Sequence, residues 1–392
     1  MKSILFLGTG HLQEHSINSA KASGYTILGV DKDPSARSAP LCDYFLNSDS
    51  TDAVTIYSWC RSIKECDVEA VWANNDILIP TRASLELALN VKVPHASLQT
   101  CFDLLSKVRS SDILGGTGFS AKQYDFNEKT LSELSYPIIV KPKKGSGSEG
   151  VKLISSRAEF EKIKFDSERE VIEDYIDGVE FGTNHFYDGK NIFKLPAVRR
   201  YFDHNMTMVP LGTVVADMND KMLLNAYSSI EEVIISNNWL GPIKADIFLH
   251  DTSFNIIEMS PRFHGEIDTT FVFNYFGISL SDMYFSALSS CRHDIWTYNF
   301  DPEIDFSSGY ISICNSNIIG DITFIENTLR SYGLKFLSFV HSGSGARTKK
   351  NAIPKSTADL VGFVFYSSAA SLSREVFGKL FRQINLLKME DY

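Results

Sequence analysis

The sequence predicts a protein of mixed α/β and α+β class, with a doubly wound α/β domain followed by a region of antiparallel hairpins. Strand-like and helix-like segments alternate over the first 100 or so residues, the pattern that builds parallel sheets. From residue 137 onward, apolar runs lie close together, which indicates antiparallel pairing. Because 392 residues exceed one ordinary hydrophobic core, we expect three domains, at residues 1–100, 101–300 and 301–392.

The N-terminal elements follow a regular order. An apolar strand at residues 4–7 closes with the glycine turn Gly8-Thr9-Gly10. The elements predicted after it are helices at 14–23, 53–64 and 79–89 and strands at 26–30 and 70–73. In open α/β sheets, ligands bind beyond the carboxyl ends of the strands. Asn75 and Asp76 follow the third predicted strand, so we expect them to contact a substrate.

The middle and C-terminal parts differ from this pattern. A helix is predicted at residues 102–114, followed by apolar strands at 137–140, 171–176, 245–249 and 255–259. From about residue 306, alternating strands and a final helix at 372–387 predict a small C-terminal α+β module.

A glycine- and serine-rich loop follows the strand that ends at Lys141. Its central residues are Gly145, Ser146, Gly147 and Ser148. Glycines let backbone N–H groups approach phosphate oxygens, serines add hydroxyl donors, and lysines supply positive charge. No GK[ST] sequence closes the loop, so it is not a Walker motif. A flexible surface hairpin is the alternative interpretation of this loop taken alone.

Carboxylates and an arginine recur further along the chain. Glu173 and Glu180 flank an extended segment suited to a purine edge and ribose hydroxyls. Asp246 and Glu258 lie on successive predicted strands, where they can converge on Mg²⁺, a cation that prefers oxygen ligands. Arg262 follows within one turn and is well placed to stabilise charge on a transferring phosphoryl group.

Taken in order along the chain, these motifs resemble the ATP-grasp superfamily over residues 1–300. The resemblance implies a two-lobed ATP-grasp domain behind an α/β pre-domain, using ATP with Mg²⁺ or Mn²⁺. It assigns phosphate binding to Lys107, Lys141 and the loop, adenine to Glu173, Tyr175 and Ile176, ribose to Glu180, metal to Asp246, Glu258 and Ser260, and transition-state stabilisation to Arg262. Ser260 stands where the family commonly has asparagine, which leaves that third metal ligand open.

The implied activity is that of an ATP-dependent ligase. It would activate a carboxylate as an acylphosphate, release ADP and phosphate, and transfer the acyl group to an amine. The Glu-Met-Ser-Pro-Arg turn is closest to amino-acid or dipeptide ligases and carbamoyl-phosphate-synthase-like members, in a biosynthetic role. We expect small-molecule carboxylate and amine substrates as partners, and leave a homodimer open.

Two further residues are candidate substrate contacts. Arg199 belongs to a short basic-aromatic cluster that could grip a carboxylate, and His264 follows Arg262 closely. His11 and His15 are four residues apart and could share a metal, although polar surface positions are the simpler interpretation.

Other functions remain as alternatives. One is a nucleotide-binding regulatory protein without catalysis. The other is an NAD(P)-dependent oxidoreductase, because Asp31 follows the Gly8-Thr9-Gly10 turn at about the right spacing. That fingerprint requires a third glycine where this chain has Gln13.

Charge and hydropathy limit the partners and the cellular location that we expect for this protein. The 38 basic and 48 acidic residues give a net charge of −10, which argues against nucleic-acid binding. The N-terminal apolar run is too short for a signal sequence, and no apolar segment approaches the roughly 20 residues that span a bilayer. We therefore expect a cytoplasmic protein without a membrane partner.

Overall fold

The computed structural model describes most of the chain. The described residues are 1–64, 66–115, 118–124, 126–127, 133–203, 206–265, 280–290, 309–341, 353–355, 357–368 and 372–385.

The N-terminal region is a four-stranded parallel sheet. Its strands are β1 (Lys2–Leu7), β2 (Thr26–Asp31), β3 (Tyr44–Asn47) and β4 (Asp67–Trp72), in the order β3-β2-β1-β4. Helices Glu14–Ala22, Ala53–Ser62 and Ile79–Ala88 connect and cover the strands. The predicted doubly wound α/β domain is confirmed. The short strand β3 was not predicted, because it lies at the sheet edge and lacks a fully buried apolar run.

A small antiparallel sheet follows. It consists of β5 (Gln123–Tyr124), β6 (Ile138–Pro142), β7 (Lys152–Ile154) and β8 (Glu170–Asp174), in the order β5-β8-β6-β7. Ile138, Val140 and Ile172 form its core together with Phe160, which ends the short helix Arg157–Phe160.

The helix predicted at residues 102–114 is in fact two helices. They are Leu98–Leu105 and Lys107–Gly115, with Ser106 extended between them. Apolar residues occur on both sides of Ser106, so the sequence pattern did not reveal that the helix is interrupted there. The break makes Lys107 the first residue of the second helix.

An eight-stranded antiparallel sheet forms the largest layer. Its order is β13-β12-β9-β10-β11-β14-β16-β15. The strands are β9 (Val179–Tyr187), β10 (Ile192–Asp203), β11 (Thr207–Val215), β12 (Gly241–Leu249), β13 (Phe254–Ser260), β14 (Gly309–Ile313), β15 (Lys335–His341) and β16 (Gly362–Ser367). Helices Lys221–Ser236, Ile322–Ser331 and Arg374–Ile384 lie between or after these strands in the chain, whereas helix Leu280–Ser290 packs against helix Glu14–Ala22 of the N-terminal region. The closely spaced apolar runs thus do form antiparallel strands.

The C-terminal strands continue this sheet. β14 pairs with β11 at Gly212↔Ile311, so β14–β16 extend the sheet built by β9–β13. The domain limits proposed from the sequence stay a prediction. None of the described helices is both long enough and apolar enough to cross a membrane.

Candidate active site

A cavity of about 450 Å³ lies among residues of the small sheet, the large sheet and the loop after β4. Most of the predicted site residues line it. They are Asn75, Asp76, Lys107, Lys141, Gly145, Ser146, Gly147, Ser148, Glu173, Tyr175, Ile176, Glu180, Asp246, Glu258, Arg262 and His264. Arg199 and Ser260, both in the described part of the chain, are not among its lining residues.

The Gly/Ser loop connects β6 to β7 along the cavity. Gly145, Gly147 and Ser148 all have positive φ, at 135°, 68° and 61°, a region that favours glycine. A Cβ at Gly147 would lie 2.4 Å from the Thr357 hydroxyl oxygen, so a larger residue there would displace the Thr357 side chain and also strain the backbone at this positive φ. Thr357 also lines the cavity and donates its backbone N–H to Gly147 O at 3.0 Å. No sequence pattern pointed to Thr357.

Two lysines flank this loop. Lys107 Nζ donates to Gly145 O at 2.8 Å and lies 3.8 Å from Glu258 Oε2. Lys141 Nζ is buried and contacts Glu173 Oε2 at 2.5 Å. Two ammonium groups beside a glycine-rich loop form a setting suited to nucleotide phosphates.

We expect Lys141→Ala to weaken ADP binding by about 1–3 kcal/mol, the size of a charge-assisted contact. Calorimetric titration with ADP measures this loss. Lys152→Ala is the matched control, since Lys152 pairs with Glu170 on the same sheet but does not line the cavity. Unchanged ADP affinity in Lys141→Ala would remove this lysine from the phosphate site.

The segment after β8 forms another wall. Glu173 accepts a hydrogen bond from Gln123 Nε2 at 2.7 Å in addition to its contact with Lys141. Tyr175 and Ile176 line the cavity beyond the end of the strand. Adenine binding by this segment stays a prediction.

The two carboxylates proposed for metal binding face each other on a hairpin. Asp246 on β12 pairs in register with Glu258 on β13. Lys244 lies two residues before Asp246, and its Nζ contacts Asp246 Oδ2 at 2.6 Å and Glu258 Oε1 at 3.1 Å. Burial alone would lower the pKa of Lys244, but these two carboxylates raise it. Sequence reasoning missed Lys244, although strand alternation places residues 244 and 246 on one face.

The donor set suits a divalent cation held jointly with phosphates. Mg²⁺ usually takes one or two protein carboxylates and completes its shell with phosphate oxygens and water. Among the described residues, no group of three or more His, Cys, Asp or Glu side chains could hold a metal by itself. The Ser260 hydroxyl donates to Asp76 Oδ1 at 2.8 Å. The structure therefore brings Ser260 to Asp76, and its role as a metal ligand stays a prediction.

Arg200, rather than the proposed Arg199, points into the cavity. Its Nη1 donates to Glu180 Oε1 at 2.8 Å and to Asp246 Oδ1 at 2.6 Å, and its Nη2 lies 2.8 Å from His264 Nδ1. Successive side chains on a strand point to opposite faces. Arg199 therefore faces away, where its guanidinium lies 5.1 Å from the centre of the Tyr201 ring.

The pKa of Glu180 is far from that of an ordinary glutamate. Burial raises its pKa to about 7, with the Asp246 charge adding to the rise and Arg200 opposing it. Glu180 is then largely uncharged below pH 7 and a carboxylate above it. Only the carboxylate makes charge-assisted hydrogen bonds with ribose hydroxyls.

We therefore expect the ADP affinity of the wild-type protein to rise, relative to Glu180→Gln, as the pH increases through about 7. Calorimetric titration of both proteins from pH 6 to pH 8 measures the difference, and the titration of the ADP phosphates cancels in the comparison. Parallel pH profiles would argue against ribose binding by Glu180.

The turn that carries Arg262 is held by the N-terminal region. Arg262 Nε and Nη2 donate to the two Asp76 carboxylate oxygens at 2.6 and 2.5 Å, and Nη1 donates to Phe263 O at 2.9 Å. Burial works to raise the pKa of Asp76, but the Arg262 guanidinium holds it well below its usual range. Arg82 Nη2 donates to Pro261 O at 2.6 Å, a buried contact that no sequence motif suggested.

His264 is buried beside this turn. Its backbone N–H donates to Asn184 Oδ1 at 2.9 Å. Burial and the charge of Arg200 lower the pKa of His264 well below its ordinary value, so the imidazole is neutral. A neutral ring beside Arg200 and Asp246 can exchange hydrogen bonds with a substrate without adding charge.

The first strand's glycine turn is arranged differently from a dinucleotide site. Asp31 Oδ2 accepts the Thr9 backbone N–H at 2.8 Å, and Oδ1 accepts that of Asp33 at 3.0 Å. The carboxylate that would bind a ribose thus closes the turn. His15, which could share a metal with His11 on sequence spacing alone, has its Nε2 3.9 Å from Asp282 Oδ2.

Comparison with known proteins agrees with this geometry. Residues 106–266 match the family described as "ATP-grasp domain". The formate-dependent phosphoribosylglycinamide formyltransferase of Prochlorococcus marinus is 23% identical over 292 residues, covering 67% of this chain and 70% of that protein. The D-alanine–D-alanine ligase of Bacillus anthracis is 36% identical over 100 residues, which cover 24% of this chain and 32% of the ligase.

The fold is similar to that of solved structures over nearly the whole chain. The L-amino acid ligase from Bacillus licheniformis superposes with a TM-score of 0.73 at 16% identity, covering 98% of this chain and 97% of that one. The matched family segment contains the loop, both lysines, the carboxylate pair and Arg262. Residues 106–266 therefore match the ATP-grasp domain family, and the chain as a whole shares its fold with the L-amino acid ligase.

Proposed function

We propose that this protein is a carboxylate–amine ligase that activates its acid as an acylphosphate. The observation that carries the proposal is the convergence of the Gly/Ser loop, Lys107, the Asp246–Glu258 pair and Arg262 on one cavity. These groups combine phosphate binding, a cation site and a buried guanidinium, which together suit phosphoryl transfer.

In the proposed reaction, an oxygen of the substrate carboxylate attacks the γ-phosphorus of ATP, and the bond to the ADP oxygen breaks. An amine then attacks the acyl carbon, and phosphate leaves. Mg²⁺, held by Asp246 and Glu258, would neutralise charge on the phosphates. The protein side chains mainly bind and orient, because phosphoryl transfer requires little covalent chemistry from the enzyme.

The nature of the substrates is supported by relatives. One carries the name of a D-alanine–D-alanine ligase and another that of an L-amino acid ligase, and both names describe amino-acid substrates. A third is named a formate-dependent formyltransferase, whose carboxylate is formate. We propose an amino acid or another small carboxylate as acyl donor, with an amino acid or another amine as acceptor.

The activity is tested by ADP release with a panel of amino acids and small acids, each supplied with and without an amine. Hydroxylamine added with the acid and ATP should trap a hydroxamate if an acylphosphate forms. Release of AMP and pyrophosphate instead of ADP would mean adenylation and would overturn the mechanism. A non-catalytic regulator would bind ADP in calorimetry and show no turnover with any member of the panel.

A further inference from the structure

We propose that Lys244 takes the place of a second metal ion, so that the site binds one divalent cation per nucleotide, chiefly through Glu258. The inference rests on the proposed nucleotide binding and adds a cation count and a residue role to it. Its basis is the position of the Lys244 ammonium between the two carboxylates.

The ammonium position is well defined by its surroundings. Lys244 is 5% exposed, and its Nζ contacts both Asp246 and Glu258 at hydrogen-bond distance. A buried ammonium is strongly disfavoured unless it is paired, so leaving these carboxylates would be costly. Lys244 thus acts as a fixed monovalent cation at the centre of the pair.

The carboxylate oxygens are unequally engaged. Asp246 Oδ2 and Glu258 Oε1 accept hydrogen bonds from Lys244, and Asp246 Oδ1 accepts one from Arg200. Glu258 Oε2 is 3.8 Å from Lys107 Nζ, beyond hydrogen-bond distance. Glu258 Oε2 is therefore the carboxylate oxygen best able to coordinate a divalent ion. It lies near Lys107, the lysine that donates to Gly145 O in the Gly/Ser loop.

The charges around the two carboxylates also favour a single bound divalent ion. The two carboxylates carry two negative charges, and the lysines and arginines of the described residues within 4 Å of them are Lys244, Arg200 and Lys107. Divalent-cation affinity depends on the number of charged oxygen ligands that a site offers. One ion bound to nucleotide phosphates and Glu258 needs no further protein charge. A second ion would meet these three cations, and the nearby Glu180 carboxyl group is already paired with Arg200.

The experiment counts bound Mn²⁺ by electron paramagnetic resonance of the free ion, in the presence of saturating ADP. Nucleotide binding is first measured by calorimetry. The proteins are the wild type, Lys244→Ala, Lys244→Arg and the control Lys194→Ala, which removes a lysine paired with Glu231 outside the cavity. We expect one ion in the wild type, in Lys244→Arg and in the control, and two ions in Lys244→Ala.

Stability supplies a second measurement. Without an ammonium between them, the two carboxylates repel each other, so Lys244→Ala should gain a larger rise in Tm from Mn²⁺ than the wild type does. If Lys244→Ala does not fold without metal, the wild-type and Lys244→Arg counts still decide.

The outcomes separate this inference from the ligase proposal. Two ions in the wild type, or an unchanged count in a folded Lys244→Ala protein, would overturn the role of Lys244 and leave the ligase proposal standing. Absence of ADP binding would instead overturn the proposed function itself.

Discussion

Glu258→Gln is expected to abolish Mg²⁺-dependent ADP formation while leaving the secondary structure unchanged. Glutamine keeps the size of the side chain and removes the charge, so a divalent ion would lose the Glu258 carboxylate oxygen that lies nearest Lys107. The remaining Asp246 oxygens already accept hydrogen bonds from Lys244 and Arg200. Initial rates of ADP release at several Mg²⁺ concentrations measure the effect, and circular dichroism checks the fold.

Glu69→Gln is a suitable control for this variant. Glu69 pairs with Lys2 at 2.7 Å in the N-terminal sheet and does not line the cavity, so its loss should leave ADP formation near the wild-type rate. Asp246→Asn should also be inactive. Full activity in Glu258→Gln would show that this carboxylate does not hold the catalytic metal.

The loss of Arg262 should lower kcat far more than it raises KM. The charge that a guanidinium neutralises develops during phosphoryl transfer, so its removal affects the transition state more than the bound substrate. A fall of about 10²–10³ in kcat corresponds to one preorganised electrostatic contact. Arg262→Lys should recover little, since an ammonium cannot reproduce the two parallel hydrogen bonds to Asp76.

Stability must be separated from catalysis in this experiment. Arg262→Ala leaves the largely buried Asp76 carboxylate without its guanidinium partner, at a cost of about 3–5 kcal/mol in the free energy of unfolding. The double variant Asp76→Asn/Arg262→Ala removes that buried charge and should regain most of the lost Tm. Its kcat should remain as low as that of the single variant. Recovery of kcat together with Tm would assign Arg262 a structural role only.

Local sequence signals predicted much of the fold and the chemistry. Strands β1, β2 and β4 are short apolar runs between helical segments, and the Gly/Ser loop directly follows Lys141. Asp246 and Glu258 could be assigned to one hairpin because a turn separates two apolar runs. In each case the interacting residues are near in sequence, so residue type and periodicity carry the information.

Contacts between distant segments depended on the tertiary structure. Asp76 and Arg262 are 186 residues apart, and nothing in either segment specifies their pairing. Arg200 rather than Arg199 enters the cavity because the register of β10 decides which face each side chain takes. Strands β14–β16 join the sheet of β9–β13 through one pairing with β11. Such contacts arise when whole elements bury their apolar faces against each other, so the partners are set by packing rather than by the residues beside them.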